Sequence, residues 1–233
     1  MAETNQELSA EETERLELVE GDETELDRVV RELDAHSRRK RQFAARVIRL
    51  LAERDPERVA PYIDDLVNAL ELSEAQTRWE VLDTLNVLVE THGKEVGAAF
   101  EGAETALFDE DSPTLRYSAF RLLCTWGATD RGRSKKVWPI IDEAIQCYHG
   151  DMEYRDMLGC LHDFASGKIE GGVAEQLAQR LRFDAENGKG AYLKSRSGEI
   201  CEMLVKRFKI DVSKKKSGAK VSKDSADDAE SEE

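Results

Sequence analysis

The strongest constraint on what this chain can fold into is a period of 38 residues. Residues 38–53 (RRKRQFAARVIRLLAE), 76–90 (QTRWEVLDTLNVLVE), 114–127 (TLRYSAFRLLCTWG) and 152–165 (MEYRDMLGCLHDFA) align with their apolar columns stacked. The columns are Phe43, Val81, Ala119 and Met157; Ala44, Leu82, Phe120 and Leu158; Val47, Leu85, Leu123 and Leu161; and Leu50, Leu88, Trp126 and Phe164. Within each segment these residues fall at i, i+1, i+4 and i+7, one buried stripe of an amphipathic helix. Four columns agreeing in four segments specify a repeated unit.

Between these first helices lie second ones. PERVAPYIDDLVNAL, EVGAAFEGAETAL, KKVWPIIDEAIQCY and GGVAEQLAQRLRF place Val59, Val96, Val137 and Val173 ahead of Ile63, Phe100, Ile141 and Leu177. Pro61 and Pro139 each follow one of those valines by two residues. Proline fits the first turn of a helix, where its missing N–H has no helical partner, so both are expected at helix beginnings. No stretch alternates apolar and polar residues over strand length, and the expected class is all-α.

An amphipathic pair cannot bury its own stripe, so neighbouring pairs must stack. The expected architecture is a short right-handed α-solenoid of stacked antiparallel helix pairs. At helix spacings of roughly 8–10 Å, about five pairs form a slab roughly 45–50 Å long. The expected organisation begins with an acidic, mostly disordered segment over 1–22, apart from a short helix around EETERLELVE. The solenoid covers 23–209: a cap helix at 24–36, pairs at about 37–73, 74–110, 113–149 and 151–186, and a terminal helix at 190–208. A low-complexity charged tail over 210–233, with Val221 its one sizeable apolar residue after Val212, is expected to be disordered.

The net charge of −15 is unevenly spread. Residues 1–36 carry thirteen acidic and three basic side chains, whereas 37–209 carry 29 and 26 and are close to neutral. A neutral body leaves room for local basic patches. Four cysteines without a CxxC pair do not make a disulfide framework. The N-terminus lacks the apolar core of a signal peptide, and no apolar run approaches the ~18–20 residues of a membrane span. These features lead to the expectation of a cytoplasmic protein with reduced thiols and no membrane partner.

The unit DEDSPTLRYSAFRLL, residues 109–123, resembles the start of a HEAT repeat: acid, proline, arginine, then small and apolar residues at helical spacing. ELSEAQTRWEVLDTL, residues 71–85, carries Arg78 where the former has Arg116, whereas the first and fourth units have Lys40 and Tyr154 in that column. The resemblance covers roughly residues 24–208 and implies a HEAT/armadillo-like solenoid. That scaffold serves adaptors, nucleic-acid binders and a few enzymes alike. Recurrence at a fixed repeat position makes Arg78 and Arg116 structural positions that bond an acidic turn or a neighbouring unit's free carbonyls.

Two basic clusters do not recur. One is Arg38, Arg39, Lys40 and Arg41, whose place at a helix start opposes the helix dipole. The other is Arg131, Arg133, Lys135 and Lys136. Together with Tyr62 and Trp138 they are the candidate partner-binding residues, aromatic and arginine side chains being the usual interface anchors. Metal binding is not expected: Cys160 and His162, two apart on a helix, diverge by about 200°. ENGKGAYLKS, residues 186–195, fails as a phosphate loop because Leu193 stands where the second glycine belongs. Trp79 and Asp83 share a helix face, and the resemblance to HEAT-like DNA glycosylases, which pair tryptophans with an aspartate, implies removal of alkylated bases; that chemistry needs a basic groove. The expected function is therefore a non-catalytic adaptor, without cofactor or metal, gripping a protein partner on a concave face lined by the second helices. Nucleic-acid binding, with base excision as its enzymatic extreme, is the alternative.

Overall fold

The computed structural model describes residues 8–210, so the tail from 211 onward and residues 1–7 lie outside the described residues. Among the described residues the chain is helical with no strand. The helices are α1 (Ala10–Gly21), α2 (Glu23–Arg31), α3 (Arg38–Arg54), α4 (Pro56–Val59), α5 (Ile63–Ala69) and α6 (Ala75–His92), followed by α7 (Phe100–Leu107), α8 (Pro113–Gly127), α9 (Arg131–Tyr148), α10 (Tyr154–Ser166), α11 (Gly171–Asn187) and α12 (Ala191–Phe208). Short 3-10 turns occupy Glu32–Asp34, Ala60–Tyr62 and Val96–Ala99. In one layer α3, α6, α8, α10 and α12 each pack on the next, while α5, α7, α9 and α11 form the second layer behind them.

The 38-residue columns make this core. All sixteen first-helix column residues are buried except Phe43, which is half-buried, and the second-helix valines are likewise buried. Burying one such Leu, Ile or Phe side chain contributes about 1.5–3 kcal/mol, so each unit is held chiefly by contacts with its neighbours.

The N-terminal segment is more ordered than its charge suggests. Ser9 and Glu12 close a capping box on α1, each side chain bonding the other's backbone N–H. Leu16 and Val19 bury fully and α1 packs on α2 and α3, so the cap is a helix pair rather than a half-unit. The excess of carboxylates is matched locally: Arg15 pairs with Glu25 at 2.9 Å, and Arg54 with Glu20 at 2.5 Å. Pro139 also departs from expectation, lying inside α9 rather than at its start. Asp130 caps α9 nine residues earlier, accepting from the N–H groups of Gly132 and Arg133. The carbonyl of Lys135, left without its helical donor, belongs to an exposed residue that water can serve.

Arginines clip successive units together. Arg116 donates to Glu153 of the next unit through Nε at 3.0 Å and also through Nη2. Its Nη1 reaches back to the carbonyls of Asp109 at 2.9 Å and Glu110 at 3.3 Å, and its guanidinium lies 5.0 Å from the centre of the Tyr148 ring. One unit earlier, Arg78 likewise reaches onward, to Asp109 at 3.3 Å. In the first unit the same part is taken by Arg41, not Lys40: it pairs with Glu74 and donates to the carbonyl of Ala35. Burial raises the Glu153 carboxyl, but the hydrogen bonds from Arg116 outweigh it and hold the group below the usual range.

Arg116→Ala is expected to lower stability by about 1–3 kcal/mol, because it strands a half-buried carboxylate, whereas Arg116→Met with Glu153→Leu should recover most of the loss. Denaturant midpoints of the two variants test this; equal losses would mean that the pair, rather than the stranded charge, carries the energy.

Candidate functional site

A cavity of about 750 Å³ opens on the outer face of the first-helix layer. Its walls come from α1, α3, α6 and the start of α8. The second helices, expected to carry the partner surface, contribute none of its lining residues. Residues about one turn apart on each first helix, outside the apolar columns, make the lining: Gln42, Arg46 and Arg49 on α3, then Gln76, Trp79 and Asp83 on α6, joined by Phe43 of the first apolar column.

The floor is polar and internally paired. Arg49 donates through Nε to Glu80 at 2.5 Å and through Nη1 to Glu53. Arg46 lies 3.4 Å from Glu12 and 3.6 Å from Glu80, and Arg39 lies 3.6 Å from Glu11. The acidic wall of α1 thus neutralises arginines of α3. Burial pushes the carboxyl groups of Glu80 and Asp83 above the usual range, against the pull of Arg49 on the first and Arg121 on the second. Asp83 lies 3.9 Å from Arg121, and its Oδ1 is buried without a hydrogen-bond partner. Phe43 and Trp79, both half-buried, add aromatic surface.

The sequence-derived candidates are dispersed. Trp138 is only 5 % exposed and donates its indole N–H to Gln176 at 2.8 Å, so it is part of the packed second layer and not an anchor. Tyr62 is half-buried and donates to Asp27 at 2.5 Å, a hydrogen bond that raises its phenol to about 12. Arg41 is consumed as an inter-unit clip. Arg38, Arg39 and Lys40 are exposed at the start of α3. Arg133 lies over Trp126 and Lys136 over Phe100, at 5.1 and 3.9 Å from the ring centres, whereas Arg131 and Lys135 face solvent. First and second helices run antiparallel, so the clusters beginning α3 and α9 sit on opposite edges of the layer and do not meet.

Glu11, Glu12 and Glu80 are groove residues that sequence reasoning missed. The usable signal was the stripe at Gln42, Arg46 and Arg49, and again at Trp79 and Asp83: polar and aromatic residues at helical spacing that the apolar columns leave outward. Among the described residues no group of histidine, cysteine and carboxylate side chains is arranged to hold a metal. None of the described helices is long and apolar enough to cross a membrane. The four cysteines are free thiols.

No protein-family model matches the sequence, and no curated protein matches it either. Solved structures do. A designed armadillo repeat protein aligns with a TM-score of 0.63 and 13% identity over 82% of this chain and 90% of its own. Computationally designed armadillo repeat proteins for modular peptide recognition align at 0.62 and 11% identity, over 82% and 90%. The archaeal HEAT-like repeats protein of Thermococcus onnurineus NA1 aligns at 0.53 and 12% identity, over 86% and 94%. The chain has a HEAT/armadillo-like repeat fold, one commonly used as a protein-binding scaffold.

Because burial lifts the carboxyl group of Asp83, that group binds a proton more readily in the folded chain than in the unfolded one. Its contribution to stability therefore grows as pH falls through the raised folded value and levels off below the ordinary carboxylate range. Asp83→Asn is expected to lessen the gain in denaturation midpoint as pH is lowered from neutral into the ordinary carboxylate range; an unchanged gain would show that Asp83 is not the responsible group.

Proposed function

We propose that this protein is a non-catalytic, cytoplasmic adaptor that holds an extended segment of a protein partner in the groove of α1, α3, α6 and α8. The cavity of about 750 Å³ carries this reading. It runs across several helices, as an extended chain requires, instead of closing over a small molecule. An extended peptide offers alternating N–H and C=O groups along its backbone. The side-chain amides of Gln42 and Gln76 supply donors and acceptors suited to both, and Arg46 adds a donor. Phe43 and Trp79 give apolar side chains something to pack on, and aromatic anchors of this kind concentrate binding energy. Peptide recognition by designed armadillo repeat proteins supports the same use of a related scaffold.

The groove does not favour nucleic acid. Arg39, Arg46 and Arg49 face Glu11, Glu12, Glu53 and Glu80, so no excess positive charge remains to hold phosphate. Base excision at Trp79 and Asp83 would need that excess.

Peptides selected by display against the whole protein are expected to lose at least tenfold in affinity on Trp79→Ala, a hot-spot-sized loss of about 2 kcal/mol. Phe183→Ala, on an exposed side chain outside the groove, should change affinity less than about twofold. Selected peptides indifferent to Trp79 would move the partner site elsewhere.

A further inference from the structure

The cations of this protein are paired to different degrees. Those in the groove are paired. By contrast, Lys94, Arg131, Lys135, Lys168, Lys206 and Lys209 are exposed, and among the described residues none of them forms an ion pair within 4 Å. All six belong to the edge where each first helix turns into its second helix, or where α12 ends.

Hydrogen bonds make this edge continuous. Trp126 donates to the carbonyl of Gly93 at 2.7 Å, joining the turn after α6 to α8. Lys168 N–H donates to the carbonyl of Ala128 at 2.6 Å, and Glu170 N–H to Ser134 Oγ at 3.0 Å, joining the turns before α9 and α11. Arg207 donates to the carbonyl of Ala165 at 2.9 Å, bringing the end of α12 alongside. Gly167 fits the same seam, since an added Cβ would come within 2.5 Å of Ala128. Opposing charge is sparse. Asp130 and Glu170 turn their carboxylates onto the first N–H groups of α9 and α11, and Glu57 is engaged by His92, so Glu90, Glu95 and Asp163 are the exposed acids interleaved with the six cations from α6 to α10. The opposite edge is mixed, carrying the exposed acids Glu71, Glu110, Asp111 and Asp151 beside the exposed cations Arg38, Lys40, Lys189 and Lys194. It lies a helix length away, about 25 Å, well beyond the ~8 Å Debye length at physiological salt. Local charge therefore governs what approaches the basic edge, despite the net charge of −15.

We propose that this edge, separate from the groove, binds the phosphate backbone of a nucleic acid. Turns spaced roughly 10 Å apart set the cations in a row about 30 Å long, the axial length of roughly nine base pairs at 3.4 Å per strand phosphate. Lysine and arginine ends on a rigid row neutralise phosphates without reading bases, so the binding is sequence-independent. Few apolar side chains are exposed along this row to insert into a bilayer, which favours nucleic acid over a lipid surface.

The test uses the full chain and three probes: a labelled duplex of about 20 base pairs, a single-stranded RNA of similar length, and anionic phosphatidylserine vesicles, between about 50 and 200 mM salt. Binding to one or both nucleic acids is expected, with a log–log salt slope of about −3 to −6. Arg131→Glu, Lys135→Glu and Lys168→Glu combined should weaken it at least tenfold and make the slope shallower by about 3. Arg38→Glu with Lys40→Glu on the opposite edge should weaken it less than about threefold at the same salt. Absence of nucleic-acid binding at about 50 mM salt, binding confined to vesicles, or equal sensitivity to both variant sets would overturn the proposal. Because these substitutions are of exposed side chains, an unchanged melting temperature accompanies the expected result. Trp79→Ala should leave the binding intact, which keeps this outcome independent of the groove.

Discussion

Everything in this chain follows from helix pairs that are apolar on more of their surface than one pair can cover. Val81, Leu82, Leu85 and Leu88 are fully buried, and α6 achieves this by packing on α3 before it and α8 after it as well as on the short second helices beside it. The same need explains the ends. Left alone, α2 would expose one side of its stripe, and the acidic α1 folds over to complete a pair, with Leu16 and Val19 as its fully buried contribution. Stability is shared between neighbours, so the energy of a unit cannot be separated from that of its interfaces.

The charged residues then divide the work that apolar stacking leaves undone. Arg41, Arg78 and Arg116 are tied to carboxylates one unit onward and fix the rotation of each unit relative to the next. Hydrophobic contact, being non-directional, does not set that rotation by itself. A second set, Arg46 and Arg49 with Glu12, Glu53 and Glu80, cancels charge within the groove. A third set on the turn edge is left unpaired. Partner choice in such a molecule is written in which charges are cancelled rather than in total charge.

Much of the fold was legible because burial and periodicity are the same fact seen twice. Columns at 38-residue spacing identified the first helices, and fifteen of their sixteen members are buried. Legibility failed where an outcome depends on juxtaposition. Trp138 has the composition of an interface anchor, yet packing and Gln176 claim it. Arg41 sits one residue off the repeat register, so column reasoning nominated Lys40. Where a hollow opens on the stack depends on how closely neighbouring helices approach one another. No pattern within a single helix reports that distance. Of the candidate site, Trp79 and Asp83 were visible as a shared face, but their neighbours Glu11 and Glu12 arrive through the fold of a segment whose charge argued for disorder.

The repeat also indicates where chemistry can vary at little cost to the scaffold. One outward column reads Trp79, Tyr117 and Arg155 at 38-residue spacing, while the apolar columns beside it stay apolar. Its members are half-buried or exposed on the first-helix layer, so exchanging one for another changes what that layer presents without opening a cavity in the core. A solenoid thus separates two tasks along one helix: inward positions hold the stack, and outward positions vary from unit to unit. The aromatic end of that column lies in the groove at Trp79, and Arg155 stands two units on with its guanidinium over Tyr192. An extended ligand following this layer would therefore meet a changing sequence of side chains. Recognition would come from their order rather than from any one residue.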